Sequence, residues 1–269
     1  MEISDKLIFT ALQLAIEAGK AILDIYSTPF DIEYKTDHSP ITRADQKAHE
    51  IISHGLSSTA LPVLSEEGFH TDYETRKNWE YFWLVDPLDG TKEFVSRNGE
   101  FTVNIALIYK QQPVFGVVYA PVPGLLYWGS PAGAYRLNVS QNIACSMNYN
   151  DIQRFAELLP IQEQRENFIV LGSRSHMNTE TIEFINNLQK SYPGLTFSSH
   201  GSSLKFCTLA EGKADIYPRF GPTMEWDTAA GHAVAYFAGC YVIQQVNQLP
   251  LVYNKPDLVN PDFIAGQKK

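Results

Sequence analysis

Leu7, Ile8, Leu12, Ala15, Ile16, Gly19, Ile22 and Leu23 recur at three- and four-residue intervals. That spacing predicts an amphipathic helix over about 4–26 with one buried face and Ser4 as its N-cap. Asp31 to Lys35 alternates as a strand does. Thr42 with Asp45 three residues on has the spacing of a capping box, and a helix to about Leu56 follows it. Two short apolar runs come next, at 61–64 and 81–85, and both end in acids. One closes on Ser65-Glu66-Glu67-Gly68 and the other on Asp86-Pro87-Leu88-Asp89-Gly90. The stretch between them, Phe69 to Glu80, is polar and charged and is expected to be a surface loop.

From Phe101 the period shortens. Runs at 101–109, 113–121, 125–130 and 134–139, separated by turns rich in proline and glycine, predict an antiparallel meander. Apolar content falls between Ser140 and Glu166, where a domain boundary is expected. This divides the chain into an α+β half, 1–140, and a second half, 141–269. In the second half strand-like runs at 168–172, 195–199, 214–217 and 240–243 alternate with helical patterns at 179–190, 203–211 and 226–237. Such alternation predicts an α/β layer.

The acidic strand ends carry the candidate chemistry. Pro87 has a fixed φ and keeps Asp86 extended. Gly90 can take a positive φ, and Thr91 opens a short helical segment whose free N–H groups suit an anion. Two carboxylates, the Leu88 carbonyl and the Thr91 hydroxyl could hold a divalent cation and a phosphate; a surface Asp-Pro turn has the same letters. Glu66, at the end of the neighbouring run, can converge on the same sheet edge. Asp45, on spacing alone, is either a first-turn carboxylate that suits the helix dipole or a functional acid. In the second half SRSH follows a strand at 173–176. Ser202 and Ser203 open a helix that they could cap, or where they could bind an anion. Lys205 and Arg219 lie near these turns, and Asp227 begins an alanine-rich helix.

Composition narrows the partners. The 269 residues carry a net charge of −9, which argues against nucleic acid or an anionic membrane surface. An anionic substrate stays open, because bound cations invert the local field. Cys145, Cys207 and Cys240 fit no zinc spacing and cannot all pair, so free thiols in a reducing, cytoplasmic compartment are expected. The start, MEISDKL, has no basic n-region of a secretory signal, and no run reaches the ~20 apolar residues of a membrane span. Peripheral association with the inner face of the membrane stays open, as does the choice between monomer and homodimer.

SEE at 65–67, DPLDGTKEF at 86–94 and WDTAAGHAV at 226–234 together resemble the inositol-monophosphatase superfamily of metal-dependent, lithium-sensitive phosphatases. SPITRAD at 39–45, NGEFTVNIALI at 98–108, SRSH, GSSLKFC at 201–207 and YPRFGP at 217–222 resemble its 3'(2'),5'-bisphosphate nucleotidase branch, of CysQ type. The resemblance implies a layered α-β-α-β-α sandwich. It implies Glu66, Asp86, the Leu88 carbonyl, Asp89 and Asp227 as metal ligands, all oxygen donors suited to two or three Mg²⁺ ions. Asp45 and Thr91 would orient and deprotonate the attacking water, with in-line attack and no phosphoenzyme. Substrate contacts would fall on Glu66, Leu88, Asp89, Gly90, Thr91 and Asp227 at the metal corner. Others would fall on His176, Ser202, Ser203, Lys205 and Arg219, at the family's nucleotide-contacting positions. The implied reaction removes the 3'-phosphate of 3'-phosphoadenosine 5'-phosphate, giving AMP and phosphate, as housekeeping for sulfate assimilation. An inositol phosphatase or a fructose-1,6-bisphosphatase-like sugar phosphatase is the alternative within the superfamily. A non-catalytic module that binds a phosphonucleotide is the alternative outside it.

Overall fold

A computed structural model describes residues 3–34, 40–69, 71–139, 148–161, 165–173 and 178–268. Helix α1 (Asp5–Tyr26) starts where Ser4 Oγ accepts from Leu7 N, and α2 (Arg43–Leu56) starts at a full capping box. Thr42 Oγ1 accepts from Ala44 N at 3.1 Å, and Asp45 Oδ2 accepts from Thr42 N at 2.7 Å. Between the two helices β1 (Glu33–Tyr34) pairs with β2 (Pro40–Ile41); the expected strand's last residue, Lys35, lies outside the described residues.

Among the described residues the larger sheet has seven strands in chain order. They are β3 (Val63–Ser65), β4 (Tyr81–Asp89), β5 (Thr102–Tyr109), β6 (Gln112–Ala120), β7 (Leu125–Ser130), β8 (Gly133–Asn138) and β9 (Glu157–Leu159). Only β3 and β4 run parallel; β5 to β8 form the expected meander. The sheet is buried on both faces. Trp83, Val85, Val103, Ile105 and Leu107 pack under α1 and α2. Their alternate neighbours Phe82, Leu84, Ala106 and Ile108 pack against the helices of the second half. Burial on both sides is why these strands read as unbroken apolar runs.

The smaller sheet has the order β11 (Thr196–Ser199), β10 (Ile169–Gly172), β12 (Ile216–Arg219), β14 (Phe263–Gln267), β13 (Cys240–Gln244). Helices α7 (Leu204–Ala210) and α8 (Glu225–Phe237) fill the space between the sheets. On the far side Phe184, Ile185 and Leu188 of α6 (Thr179–Ser191) cover Val170, Ile216 and Ile264. The layers are therefore α1/α2, sheet, α7/α8, sheet, α6, an α-β-α-β-α sandwich.

Four sequence expectations are corrected or extended. β4 continues through Asp89, because Asp86 stands opposite Asn104 and Asp89 opposite Thr102, which leaves one extra residue on β4. DPLD is thus a bulge in the sheet, where a proline is tolerated, and not a turn after it. The 69–80 stretch is not all surface loop. Arg76, at the end of α3 (Tyr73–Arg76), is buried and donates to Asn254 Oδ1 at 2.8 Å and to the Pro256 carbonyl at 2.9 Å. Beyond residue 140, helix α5 (Tyr149–Phe155) precedes β9, whose strand joins the larger sheet. The second half is not wholly parallel, since β14 runs antiparallel between β12 and β13. Among the described residues no helix is long and apolar enough to cross a membrane. Cys207 and Cys240 are free and buried, and burial lifts the Cys240 thiol to about 12. Cys145 lies outside the described residues.

Candidate active site

Asp86 sits at the β4 bulge and is 1% exposed, with Oδ1 accepting from Leu88 N at 3.1 Å. Burial pushes its carboxyl well above the usual carboxylate range, and the nearby Glu66, Asp89 and Asp227 push it the same way. Asp227 stands in the first turn of α8, where Oδ2 accepts from Met224 N at 2.9 Å. Burial raises its carboxyl too, followed by the Asp89 charge. Four acids, Glu66 just after β3, Asp86 and Asp89 on β4 and Asp227 on α8, therefore act on one another at one corner of a cleft. Among the described residues no lysine or arginine forms an ion pair with Asp86, Asp89 or Asp227. No three acid, imidazole or thiol side chains there converge tightly enough to hold an ion as they stand. The donor set nevertheless fits a divalent ion. Its groups are hard oxygens, the Leu88 carbonyl included, and their mutual repulsion is what a cation would relieve.

Next to this corner Gly90 holds φ 91°, and α4 (Thr91–Val95) begins. Thr91 Oγ1 donates to Asp45 Oδ1 at 3.0 Å and lies 3.4 Å from the Leu88 carbonyl. Asp45 is buried, and burial raises its carboxyl, with the Glu67 charge adding to the rise. The capping expectation for Asp45 is met by Oδ2, while Oδ1 accepts from Thr91.

The turn before α7 crosses from the second half to the acid corner. Ser203 stands at the N-cap of α7 but gives it no side-chain capping bond, contrary to the capping expectation. Ser202 Oγ and Ser203 N donate to Asp89 Oδ2 at 2.6 and 2.8 Å, and Ser203 Oγ donates to the Asp227 carbonyl at 2.8 Å. Lys205 is buried, with Nζ donating to the carbonyls of His200 and Ser202 at 3.0 and 2.7 Å. Burial brings its ammonium down to about 8 against the opposing pull of Asp89. Arg219, at the end of β12, donates from Nη2 to the Pro222 carbonyl at 3.1 Å. Its buried Nε has no hydrogen-bond partner among the described residues.

One cleft gathers Glu66, Asp89, Gly90, Thr91 and Asp227 with Ser202, Ser203, Lys205 and Arg219. Asp86, Leu88 and Asp45 do not line it and stand behind its wall. His176 lies outside the described residues. Reading the sequence residue by residue missed Glu93, Tyr217 and Thr223, which line the same cleft, and Thr102, Asn104 and Glu100, which stand behind its turn. Thr102 and Asn104 interrupt an otherwise apolar run at 101–109, and two polar residues alternating on one strand face were the available signal.

The chain belongs to the inositol monophosphatase family, whose model matches residues 4–268. Phosphatases of that family are generally dependent on Mg²⁺. Within the family it is 45% identical over 256 residues to the 3'(2'),5'-bisphosphate nucleotidase CysQ of Shigella flexneri, covering 93% of this chain and 96% of that one. Identity to the CysQ of Escherichia coli K12 is 44% over the same share. The crystal structure of CysQ from Bacteroides thetaiotaomicron superposes with a TM-score of 0.90 at 48% identity, over 97% of this chain and 96% of that one.

Proposed function

We propose that this protein is a Mg²⁺-dependent 3'(2'),5'-bisphosphate nucleotidase. It removes the 3'-phosphate of 3'-phosphoadenosine 5'-phosphate to give AMP and phosphate, serving sulfate assimilation in the cytoplasm. The observation that carries this reading is that a single cleft joins the acid corner to Lys205 and Arg219. A bisphosphate has two anionic groups, and only the one being cleaved can sit at the acid corner. The other needs cationic donors from the protein, and Lys92, Lys205 and Arg219 are the cations that line the cleft among the described residues. Unpaired Cys207 and Cys240 suit a reducing compartment. In this reading the half 1–140 supplies the acid corner, and 141–269 supplies Asp227 and the nucleotide contacts.

Glu66, Asp86, Asp89, Asp227 and the Leu88 carbonyl would hold the ions. Bound Mg²⁺ supplies charge neutralisation at the phosphate and acidifies water. The chain's own work is at Thr91 and Asp45. Thr91 commits its proton to Asp45 Oδ1, so its lone pairs are free to accept from the attacking water and orient it. Asp45, its basicity raised by burial, takes the proton through that hydroxyl. Thr42, donating N–H and Oγ1–H to Asp45 Oδ2 at 2.7 and 2.8 Å, fixes the carboxylate for this task.

The test is Lys205→Ala measured on two substrate types. Activity on the bisphosphate should fall roughly ten- to hundred-fold, the worth of a charge-assisted hydrogen bond, and activity on a monophosphate should change little. Equal losses on both would make Lys205 a support for the turn and remove the basis for a bisphosphate site.

A further inference from the structure

A hydrogen-bond network joins Asp89 of the acid corner and the cleft-lining Ser202 and Ser203 to Asn104 and Thr102 behind them on β5. Asp89 Oδ2 accepts from Ser202 Oγ at 2.6 Å, Ser203 N at 2.8 Å and Asn104 Nδ2 at 3.3 Å. A carboxylate oxygen offers about two lone pairs. Three donors saturate Oδ2, and Oδ1 alone is left to face an ion.

The protons in this network have assigned directions. Asp89 can only accept, so the Asn104 amide presents its NH₂ to it, and Nδ2 also reaches Ser203 Oγ at 3.0 Å. Ser203 Oγ in turn gives its proton to the Asp227 carbonyl at 2.8 Å. The Ser202 proton is committed to Asp89, so Thr102 Oγ1, 2.6 Å away, is the donor in that pair. The Asn104 amide oxygen, 3.0 Å from Thr102 Oγ1, is a second acceptor for that same Thr102 proton, while the flip of the amide is fixed by the Asp89 carboxylate, which can take only its NH₂. Asn104 and Thr102 are buried on β5, across the bulge from Asp89. Ser202 is held at φ 52°, an uncommon backbone for a residue with a side chain, and Gly201 N is pinned to Glu100 Oε2 at 2.7 Å. Strain of this kind persists where the surroundings over-determine it.

The geometry points to Asn104 as a positioning residue that makes Asp89 a one-oxygen ligand and ties the ion corner to the nucleotide-binding turn. This rests on the bisphosphate nucleotidase reading for what the two sites hold. Both sites share the Asp89 Oδ2 donors, so occupying one orders groups the other uses, and the coupling is reciprocal.

Mn²⁺ titration of the full chain, followed by the free-ion EPR signal with and without AMP, tests this. Asn104→Ala and Ser202→Ala should each weaken Mn²⁺ binding roughly ten- to hundred-fold and bring the AMP effect on Mn²⁺ affinity towards none. Thr102→Val should weaken binding, and Thr102→Ser, which keeps the hydroxyl, should restore it. Should Asn104→Ala fail to fold, Ser202→Ala and the Thr102 pair decide the matter. Mn²⁺ affinities within about twofold of wild type in folded variants would overturn the assignment. A wild-type chain that binds Mn²⁺ but does not hydrolyse the bisphosphate would sink the proposed function instead, and the Mn²⁺ comparison would still judge the network.

Discussion

Asp45 divides its two carboxylate oxygens between the helix cap and the Thr91 hydroxyl, and the proposed mechanism uses the second. Its Oδ2 closes the capping box and its Oδ1 receives the Thr91 proton. Thr91→Ala and Asp45→Asn should each cut kcat by roughly a hundred- to ten-thousand-fold with little rise in KM. The double variant should be little worse than either single one, since the two act as a unit. Additive losses in steady-state kinetics would reduce Asp45 to a cap. Lys205 gives a pH signature. Its ammonium titrates near about 8 in the free protein, so kcat/KM for a bisphosphate should decline as pH rises through that value. In Lys205→Arg, whose guanidinium stays charged, the decline should disappear; its persistence would place the titration elsewhere. The cap was legible from Thr42 and Asp45 three residues apart. The Thr91 contact spans 46 positions, and no local spacing reports it, so resemblance to a family supplied it instead.

Helix α8 carries Asp227, and its position is set by glycines on the larger sheet. A Cβ on Gly116 would stand 2.5 Å from the Ala230 carbonyl oxygen, and one on Gly129 2.6 Å from that of Ala233. The backbone of α8 thus rests directly on β6 and β7. Gly116→Ala should destabilise the fold by about 1–3 kcal/mol through overpacking, read from denaturant unfolding. It should also weaken ion binding by displacing Asp227. A variant as stable as wild type would show that α8 has room to shift. Long periodic elements such as α1 and the meander were legible because their period repeats over several turns or strands. Elements set by distant partners were not. β14, FIAGQ, is short, has an interior glycine and exists as a strand because β12 and β13 receive it. Arg76 looked like a surface residue because its partners, Asn254 and Pro256, are about 180 positions away.

At the scale of the molecule, the acid corner is assembled from both halves, and its cost depends on pH. The carboxyls of Asp86 and Asp227 are raised in the folded chain, so their contribution to stability is present at low pH and lost as pH rises through the raised values. In EDTA the melting temperature should therefore fall as pH rises above the ordinary carboxylate range. Mg²⁺ at a hundredfold its Kd for one site should add about 2.7 kcal/mol, and at a fixed Mg²⁺ concentration the gain should grow with pH as the carboxyls become free to bind it. A Mg²⁺ gain independent of pH in thermal melts would contradict ion binding by this cluster. Resemblance of the acidic motifs made the ligand candidates legible, whereas their separation into a cleft wall and the groups behind it needed three dimensions. The account stands most directly on relative kcat/KM for 3'-phosphoadenosine 5'-phosphate, inositol 1-phosphate and fructose 1,6-bisphosphate at one Mg²⁺ concentration. A bisphosphate nucleotidase should favour the nucleotide over inositol 1-phosphate by at least the roughly ten- to hundred-fold expected of a second-phosphate contact at Lys205, and should favour it over the sugar bisphosphate as well, through contacts to the nucleoside. Equal or greater kcat/KM on inositol 1-phosphate or the sugar bisphosphate would contradict the account, whatever the cleft contains.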